Sequence, residues 1–222
     1  MTQPVDPQLW NQKAVAFAVR SHRQLWGRNN EDPLAWIFQH GFKNAFMKQM
    51  MVGWNKHDQS RDPQDWGLPQ ALESDPDRTG EQNQRLFLPA GLVIPWIRDK
   101  ELLKITVYRH QAPDPGNGQM IQGSLPSAMI LGNPGPRVAV VPHIMDGLWL
   151  CQEAGDNLCV VIPQAPEISL DATVMALIRD ASNLMLLCRK ESSGIWQGFL
   201  DDLPYKATAL TYSCISQVTG IL

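Results

Sequence analysis

Residues 138–156, VAVVPHIMDGLWLCQEAGD, combine residue types and spacing that could hold a metal ion or a phosphate. An apolar run stops at Pro142, an acid, Asp146, follows four residues later, and an apolar-periodic segment then begins. Strand, acid, helix is a way of placing a carboxylate at the carboxyl end of a parallel strand, where α/β sheets bind their ligands. Magnesium would need oxygen ligands, one to three of them carboxylates, at about 2.0–2.1 Å in near-octahedral geometry. The tip of the strand, where a first carboxylate is expected, is Pro142. His143 is a weak substitute, because imidazole suits zinc better than magnesium. Asp146 alone also fits the first turn of a helix, where a carboxylate meets the positive end of the helix dipole.

Other reactive residue types are spread along the chain. Cys151, Cys159, Cys188 and Cys214 form no C-x-x-C pair and lie in or beside apolar stretches, so they read as buried thiols and not as a zinc site. With 222 residues, 44% of them hydrophobic and 18% charged, the chain can build a proper core. A net charge of −3 excludes coating nucleic acid by overall charge. A local basic face is still available: up to residue 61, Lys13, Arg20, Arg23, Arg28, Lys43, Lys48, Lys56 and Arg61 stand against Asp6, Glu31, Asp32 and Asp58, eight against four, or +4. No apolar run reaches the roughly 18 residues of a membrane span. MTQPVDPQLW lacks the basic start and apolar stretch of a secretion signal, so the expectation is a cytoplasmic protein with no membrane partner.

The elements that must position these residues fall into two rhythms. Residues 7–28 predict an amphipathic helix, with Trp10, Ala14, Phe17, Ala18, Leu25 and Trp26 at three- and four-residue steps. A second helix is expected with Asp32 as N-cap and Pro33 at its first position, and a third over 43–52. GWNKHDQSRDPQDWGLPQ reads as an ordered loop in which Trp54 and Trp66 act as anchors, stacking on bases being their alternative use. Residues 72–84 read as a flexible surface segment. RLFLPAGLVIPWIRD and ELLKITVYRH predict two strands around a turn at Asp99-Lys100, APDPGNG a loop, and MIQGS and AMILGN two shorter strands. GNPGPR, residues 132–137, is the expected domain boundary. Beyond it VAVV, NLCVVIP, NLMLLC and ATALTYS alternate with helices over 145–154, 170–181 and 194–203, the pattern of a small parallel α/β unit.

In this order the residues resemble the primase-like proteins of phages and mobile elements, which join a bacterial replicative primase core to a TOPRIM domain. The matching pieces are Trp10…Leu25-Trp26, Trp36-Ile37-Phe38-Gln39-His40-Gly41-Phe42, Val52-Gly53-Trp54-Asn55…Asp58 and Trp66-Gly67-Leu68-Pro69. Then come Gly91-Leu92-Val93-Ile94-Pro95, Arg109, Gln122-Gly123-Ser124 and Asp146…Gln152-Glu153-Ala154-Gly155-Asp156. The resemblance implies an α/β chain in two parts. Residues 1–135 would be a primase-core-like α+β subdomain, helical over 1–70 and β-rich over 85–131. Residues 136–222 would be a TOPRIM-like parallel α/β unit.

The departures decide the functional expectation. The zinc-binding module with which such proteins usually begin is not matched. TOPRIM chemistry uses a Glu at the first strand's tip, an Asp four residues on, and an Asp-x-Asp at the end of a later strand. Here the Glu position is Pro142 and Asp146 is the one surviving motif acid. The Asp-x-Asp position falls on Cys188-Arg189-Lys190, and a slip in that assignment would recruit Glu191. Asp201-Asp202 are substitute carboxylates by composition alone. Gln119-Met120 occupy the loop that would offer a basic residue and a Tyr to a nucleotide. The expectation is therefore a catalytically degenerate primase-like protein of a mobile element or defence locus, with no cofactor. It would bind nucleic acid, or serve as accessory subunit to a partner such as a helicase or effector complex. Arg98, Arg109, Arg189 and Lys190 are the candidate nucleic-acid contacts, with Arg85 and Lys104 on the same strands as the first two. Two alternatives remain open: a magnesium-dependent primase or TOPRIM nuclease built around Asp146, and a purely structural interaction subunit.

Overall fold

The computed structural model describes residues 4–28, 30–69, 85–110, 118–165, 170–194, 196 and 207–221. The chain divides into two compact units, Met1–Leu125 and Pro126–Leu222.

In the first unit α1, Pro7–Leu25, starts where Asp6 accepts the Leu9 N–H at 3.0 Å and Pro7 fills the first helical position. Its apolar stripe is buried at Trp10, Ala14, Phe17, Ala18 and Leu25, as the spacing requires. Helix α2, Glu31–Gln39, begins ahead of the expected cap: Asn30 is the N-cap, and Glu31 and Asp32 lie in the first turn. Pro33 is still tolerated there, because the first-turn N–H groups have no partner inside the helix. After α3, Asn44–Gln49, come strands β1, Gly53–Asn55, and β2, Gln59–Arg61. RLFLPAGLVIPWIRD forms two strands and not one, β3, Leu86–Leu88, and β4, Gly91–Arg98. β4 turns through Asp99 and Lys100, both at positive φ as tight hairpin turns demand, into β5, Glu101–Tyr108. With β6, Gln119–Met120, the strands form an antiparallel sheet of order β1-β4-β5-β6, and β2 pairs with β3 separately. Trp10, Ala14, Phe17 and Ala18 of α1, with Trp66 and Leu68, pack against Val93, Leu102, Ile105 and Val107. Trp66 is 6% exposed and meets Phe17 edge-on at 6.2 Å, the anchor role expected of it.

The second unit holds β7, Met129–Leu131, β8, Arg137–Val140, α4, Ile144–Ala154, and β9, Cys159–Ile162. It continues through α5, Ala172–Asp180, β10, Asn183–Arg189, and β11, Thr208–Tyr212. The sheet runs β11-β10-β8-β9-β7; the first four strands are parallel, and β7 is antiparallel at the edge. The alternation beyond residue 136 thus gives the expected parallel α/β unit. The boundary itself lies earlier than GNPGPR. AMILGN, assigned to the first part, supplies β7, whose Met129, Ile130 and Leu131 pair with Ile162, Val161 and Val160. The breaker connects two strands of one sheet and separates no domains.

Side chains alternate across this sheet with period two. Val138, Val140, Cys159, Val161, Leu184, Leu186 and Cys188 form one core face with Val174 and Ile178 of α5. The intervening residues point to the face carrying α4, which sits so close that a Cβ at Gly147 would overlap the Ile162 side chain. Among the described residues no helix is long and apolar enough to cross a membrane. The expected helix over 194–203, the 72–84 segment, the APDPGNG loop and Asp201-Asp202 lie wholly or mainly outside the described residues.

Candidate functional site

The junction singled out by the sequence is a buried ionic cluster. Past Val140, the Val141 N–H still donates to Val161 O at 2.8 Å; Pro142 is buried and His143 is the extended N-cap of α4. The first helical bond, Gly147 N–H to His143 O, places Asp146 in the first turn, 5% exposed. Because Cys188 points into the α5-side core, its neighbour Arg189 must point to the α4 side. The parallel register sets Tyr212 of β11 directly beside Arg189.

These placements converge on one carboxylate. Arg189 grips Asp146 with both arms, Nε to Oδ2 at 2.7 Å and Nη2 to Oδ1 at 2.9 Å, a bidentate charge-assisted pair. The Tyr212 hydroxyl donates to the same Oδ2 at 2.8 Å. Arg189 Nη2 also reaches His143 Nδ1 at 3.3 Å, and since a guanidinium only donates, Nδ1 is the accepting atom of that contact. Burial first, and then the Asp146 charge, pushes the Tyr212 phenol far above its ordinary range, so it remains a donor. Burial likewise raises the Cys188 thiol. The Asp146 side chain is 7% exposed and that of Arg189 39%, so the anion is enclosed while the cation keeps one side to water.

The structure separates the three residues 188–190 that the sequence groups. Cys188 is a core residue, Lys190 is exposed at the start of a 3₁₀ turn, and the residue of β10 that meets Asp146 is Arg189. Arg189 and Lys190 therefore do not act as a pair. Glu191 follows in the same turn, exposed. Among the described residues no three His, Cys, Asp or Glu side chains are grouped to hold a metal ion.

The other two candidates lie in the first unit. The Arg98 guanidinium stands 5.4 Å from the centre of the Trp96 ring, and its Nη1 is buried with no hydrogen-bond partner. Lys104 Nζ lies 5.6 Å from the same ring; Lys104 is fully buried, and burial lowers its pKa to about 8. Arg109 is exposed but already paired, Nη2 to Asp58 Oδ1 at 3.0 Å, with its guanidinium 5.6 Å from the Phe87 ring. Sequence reasoning missed Tyr212 as part of the Asp146 cluster. Only the β10–β11 register reveals it, and no spacing rule links residues 146 and 212.

No protein-family model matches this sequence, and no curated protein is significantly similar to it. Solved structures resemble it in fold. The DnaG primase catalytic domain bound to ssDNA superposes with a TM-score of 0.65 at 12% identity, over 96% of this chain and 77% of that one. The E. coli primase catalytic core gives 0.62 at 11% identity, over 95% and 75%. The RNA polymerase domain of Mycobacterium tuberculosis primase DnaG, in complex with a double-stranded DNA oligomer with a 6-nucleotide overhang, gives 0.61 at 13%, over 97% and 77%. At such identities the likeness is one of architecture: this chain has the fold of the DnaG primase catalytic core.

Proposed function

We propose that the chain is a metal-free module on the primase-core fold that binds nucleic acid without transferring nucleotides. The observation that carries this is the grip of Arg189 on Asp146. A magnesium ion would need the lone pairs of that carboxylate, and both oxygens already accept hydrogen bonds from a guanidinium and a phenol. A fixed positive charge at 2.7 Å also repels a second cation there. The donor set therefore does not fit magnesium. Pro142 adds no ligand, and no catalytic step is assigned to the cluster.

In this reading Arg189 is a structural counter-ion and the phosphate contacts come from Lys190, Arg98 and Arg109. The charge of Arg109 is partly offset by Asp58. The biological setting would be an accessory subunit of a nucleic-acid-processing complex carried by a phage, mobile element or defence locus, working beside a helicase or effector.

The test is binding of labelled single-stranded and duplex DNA and RNA over a salt series, in magnesium and in EDTA. The reading expects affinity that EDTA leaves unchanged and that falls linearly in log–log form with salt. Lys190→Ala and Arg109→Ala should each lower the salt slope by about one. Binding or product formation that requires magnesium would overturn it in favour of an enzyme using Asp146 and Glu191. Absence of binding to every oligonucleotide would overturn it in favour of a protein-docking subunit.

A further inference from the structure

We infer that a cleft in the first unit, between the start of α2 and the end of β1, is a binding pocket for a single unpaired guanine nucleotide. Its space is about 490 Å³, within the 300–1,000 Å³ typical of small-ligand sites. One wall carries Glu31 and Asp32 from the first turn of α2; the other carries Trp54, Lys56 and His57. Trp54 and Lys56 share a side because they stand two residues apart on an extended segment. Asn55, between them, points the other way and is buried.

The aromatic wall is held in place from behind. The Asn55 amide donates to Leu88 O at 3.2 Å and to Pro89 O at 2.7 Å, and its Oδ1 accepts from Gln59 Nε2 at 2.5 Å. At Gly53 the strand touches α1 so closely that a Cβ would overlap the Ser21 backbone. His110 meets the Trp54 ring at a steep angle, 66° with centroids 5.0 Å apart, and Trp36 in turn braces His110 at 5.4 Å. The opposite wall is fixed by Pro33 and Ile37, both buried in α2. Trp54 is nevertheless half-buried, unlike Trp66. A fixed, partly open indole beside polar groups is what a stacked base requires, and its neighbours decide which base.

Two adjacent carboxylates present acceptors only. Among the four common bases, guanine alone has two neighbouring N–H donors on its Watson–Crick edge, N1–H and the N2 amino group. Adenine and cytosine offer one exocyclic amine, and thymine a single imide N–H. Lys56, exposed at the rim with His57, matches one phosphate. The cleft carries two carboxylates against one lysine, so a triphosphate is disfavoured and one nucleotide of a strand is favoured. An arginine side chain shares the paired donors and the affinity for an indole face, but Lys56 opposes its charge. This inference rests on the nucleic-acid reading only for the source of the base, since its residues are separate from the Asp146 cluster.

The test is titration of the full chain with dGMP, dAMP, dCMP, TMP, deoxyguanosine and arginine methyl ester, followed by amide chemical shifts. Saturable binding of dGMP, at least tenfold tighter than the other nucleotides, is expected. Trp54→Leu should weaken it tenfold or more. Glu31→Gln with Asp32→Asn should erase the preference for guanine. Lys56→Ala, an exposed change that leaves folding alone, should weaken dGMP several-fold and deoxyguanosine not at all. The mononucleotide titration and the oligonucleotide assay in magnesium and in EDTA fail independently, so a failure of the metal-free reading and a failure of this pocket are told apart. Equal binding of all nucleotides, indifference to Trp54→Leu and Lys56→Ala, or tighter binding of arginine methyl ester than of dGMP would each overturn the inference.

Discussion

Replacing Arg189 by alanine should be among the most destabilising single changes in the second unit, and the reason can be worked through. Two hydrogen bonds to a charged acceptor are lost, each worth about 1.5–3 kcal/mol net. The Arg189 side chain is 39% exposed and keeps part of its hydration, which argues for the low end of that range. The carboxylate left behind is 7% exposed, with Tyr212 still donating, so its desolvation is no longer balanced. Removing one partner of a buried pair costs about 3–5 kcal/mol, and the exposure of Arg189 brings the expected loss to about 3 kcal/mol. For a chain of this size that lowers Tm by about 6–12 °C, at about 2–4 °C per kcal/mol. Asp146→Leu should cost less, about 1–2 kcal/mol, because the stranded guanidinium can turn to water while the Tyr212 hydroxyl loses its acceptor. The double variant Asp146→Leu with Arg189→Ala should lose about 2 kcal/mol less than the sum of the two single losses. Urea unfolding of the four proteins, with β10 amide exchange as a local probe, measures all of this. Arg189→Ala within about 0.5 kcal/mol of the parent, or additive single losses, would refute the account of the cluster as a buried counter-ion pair.

Lys104 makes a pH-dependent prediction. Its folded pKa, about 8, lies below the ordinary 10.5. Between those values the unfolded chain binds more protons, so stability rises as pH climbs from about 8 towards 10.5, and the penalty for burying the charge is fully present below about 8. Lys104→Met should flatten that rise, which reaches up to about 3 kcal/mol at 1.36 kcal/mol per pKa unit; unfolding midpoints from pH 7 to 10.5 decide it, and parallel curves for both proteins would sink the idea. Asp58→Ala removes an exposed ion pair with Arg109 and the acceptor of the Ala90 N–H, at 2.6 Å, for about 1 kcal/mol of stability. The same change frees Arg109, so nucleic-acid affinity should rise at low salt, with a salt slope steeper by about one. Weaker binding after Asp58→Ala would show that Arg109 takes no part.

The sequence made some elements legible because their signals were local. The α1 stripe, the Asp99-Lys100 turn and, among the described residues, the strand–helix alternation after residue 136 follow from periodicity and turn chemistry alone, and each stands where expected. The boundary at GNPGPR failed for a non-local reason: proline and glycine mark a change of direction, and only the pairing of Met129–Leu131 with β9 shows which sheet claims the strand. Which of residues 188–190 meets Asp146 is a matter of strand parity, because neighbouring residues in a strand face opposite sides. Cys188 in the α5-side core fixes the parity, and with it the identity of Arg189 as the partner of Asp146. Trp54 and Trp66 looked alike in sequence; burial against Phe17 distinguishes the anchor from the ring that stays half-open.

Asp146 shows why one acid at a strand–helix junction is poor support for metal chemistry. Read alone, its position in the first turn of α4 needs no explanation beyond the helix dipole, worth a few tenths to about 1 kcal/mol. The structure gives it a larger role. The carboxylate is the common acceptor for Arg189 on β10 and Tyr212 on β11, and Arg189 also reaches His143 at the α4 N-cap, so one side chain ties together two adjacent parallel strands and a helix start. Any change that frees the carboxylate for a metal must also leave a guanidinium and a buried phenol seeking acceptors, and each buried polar group left without a partner costs about 1–3 kcal/mol. Asp146 is thus held by its protein neighbours whether or not a metal ever approaches. Removing Asp146 would then lower stability with or without magnesium, whereas a working metal site would lose activity first and stability only in the loaded state.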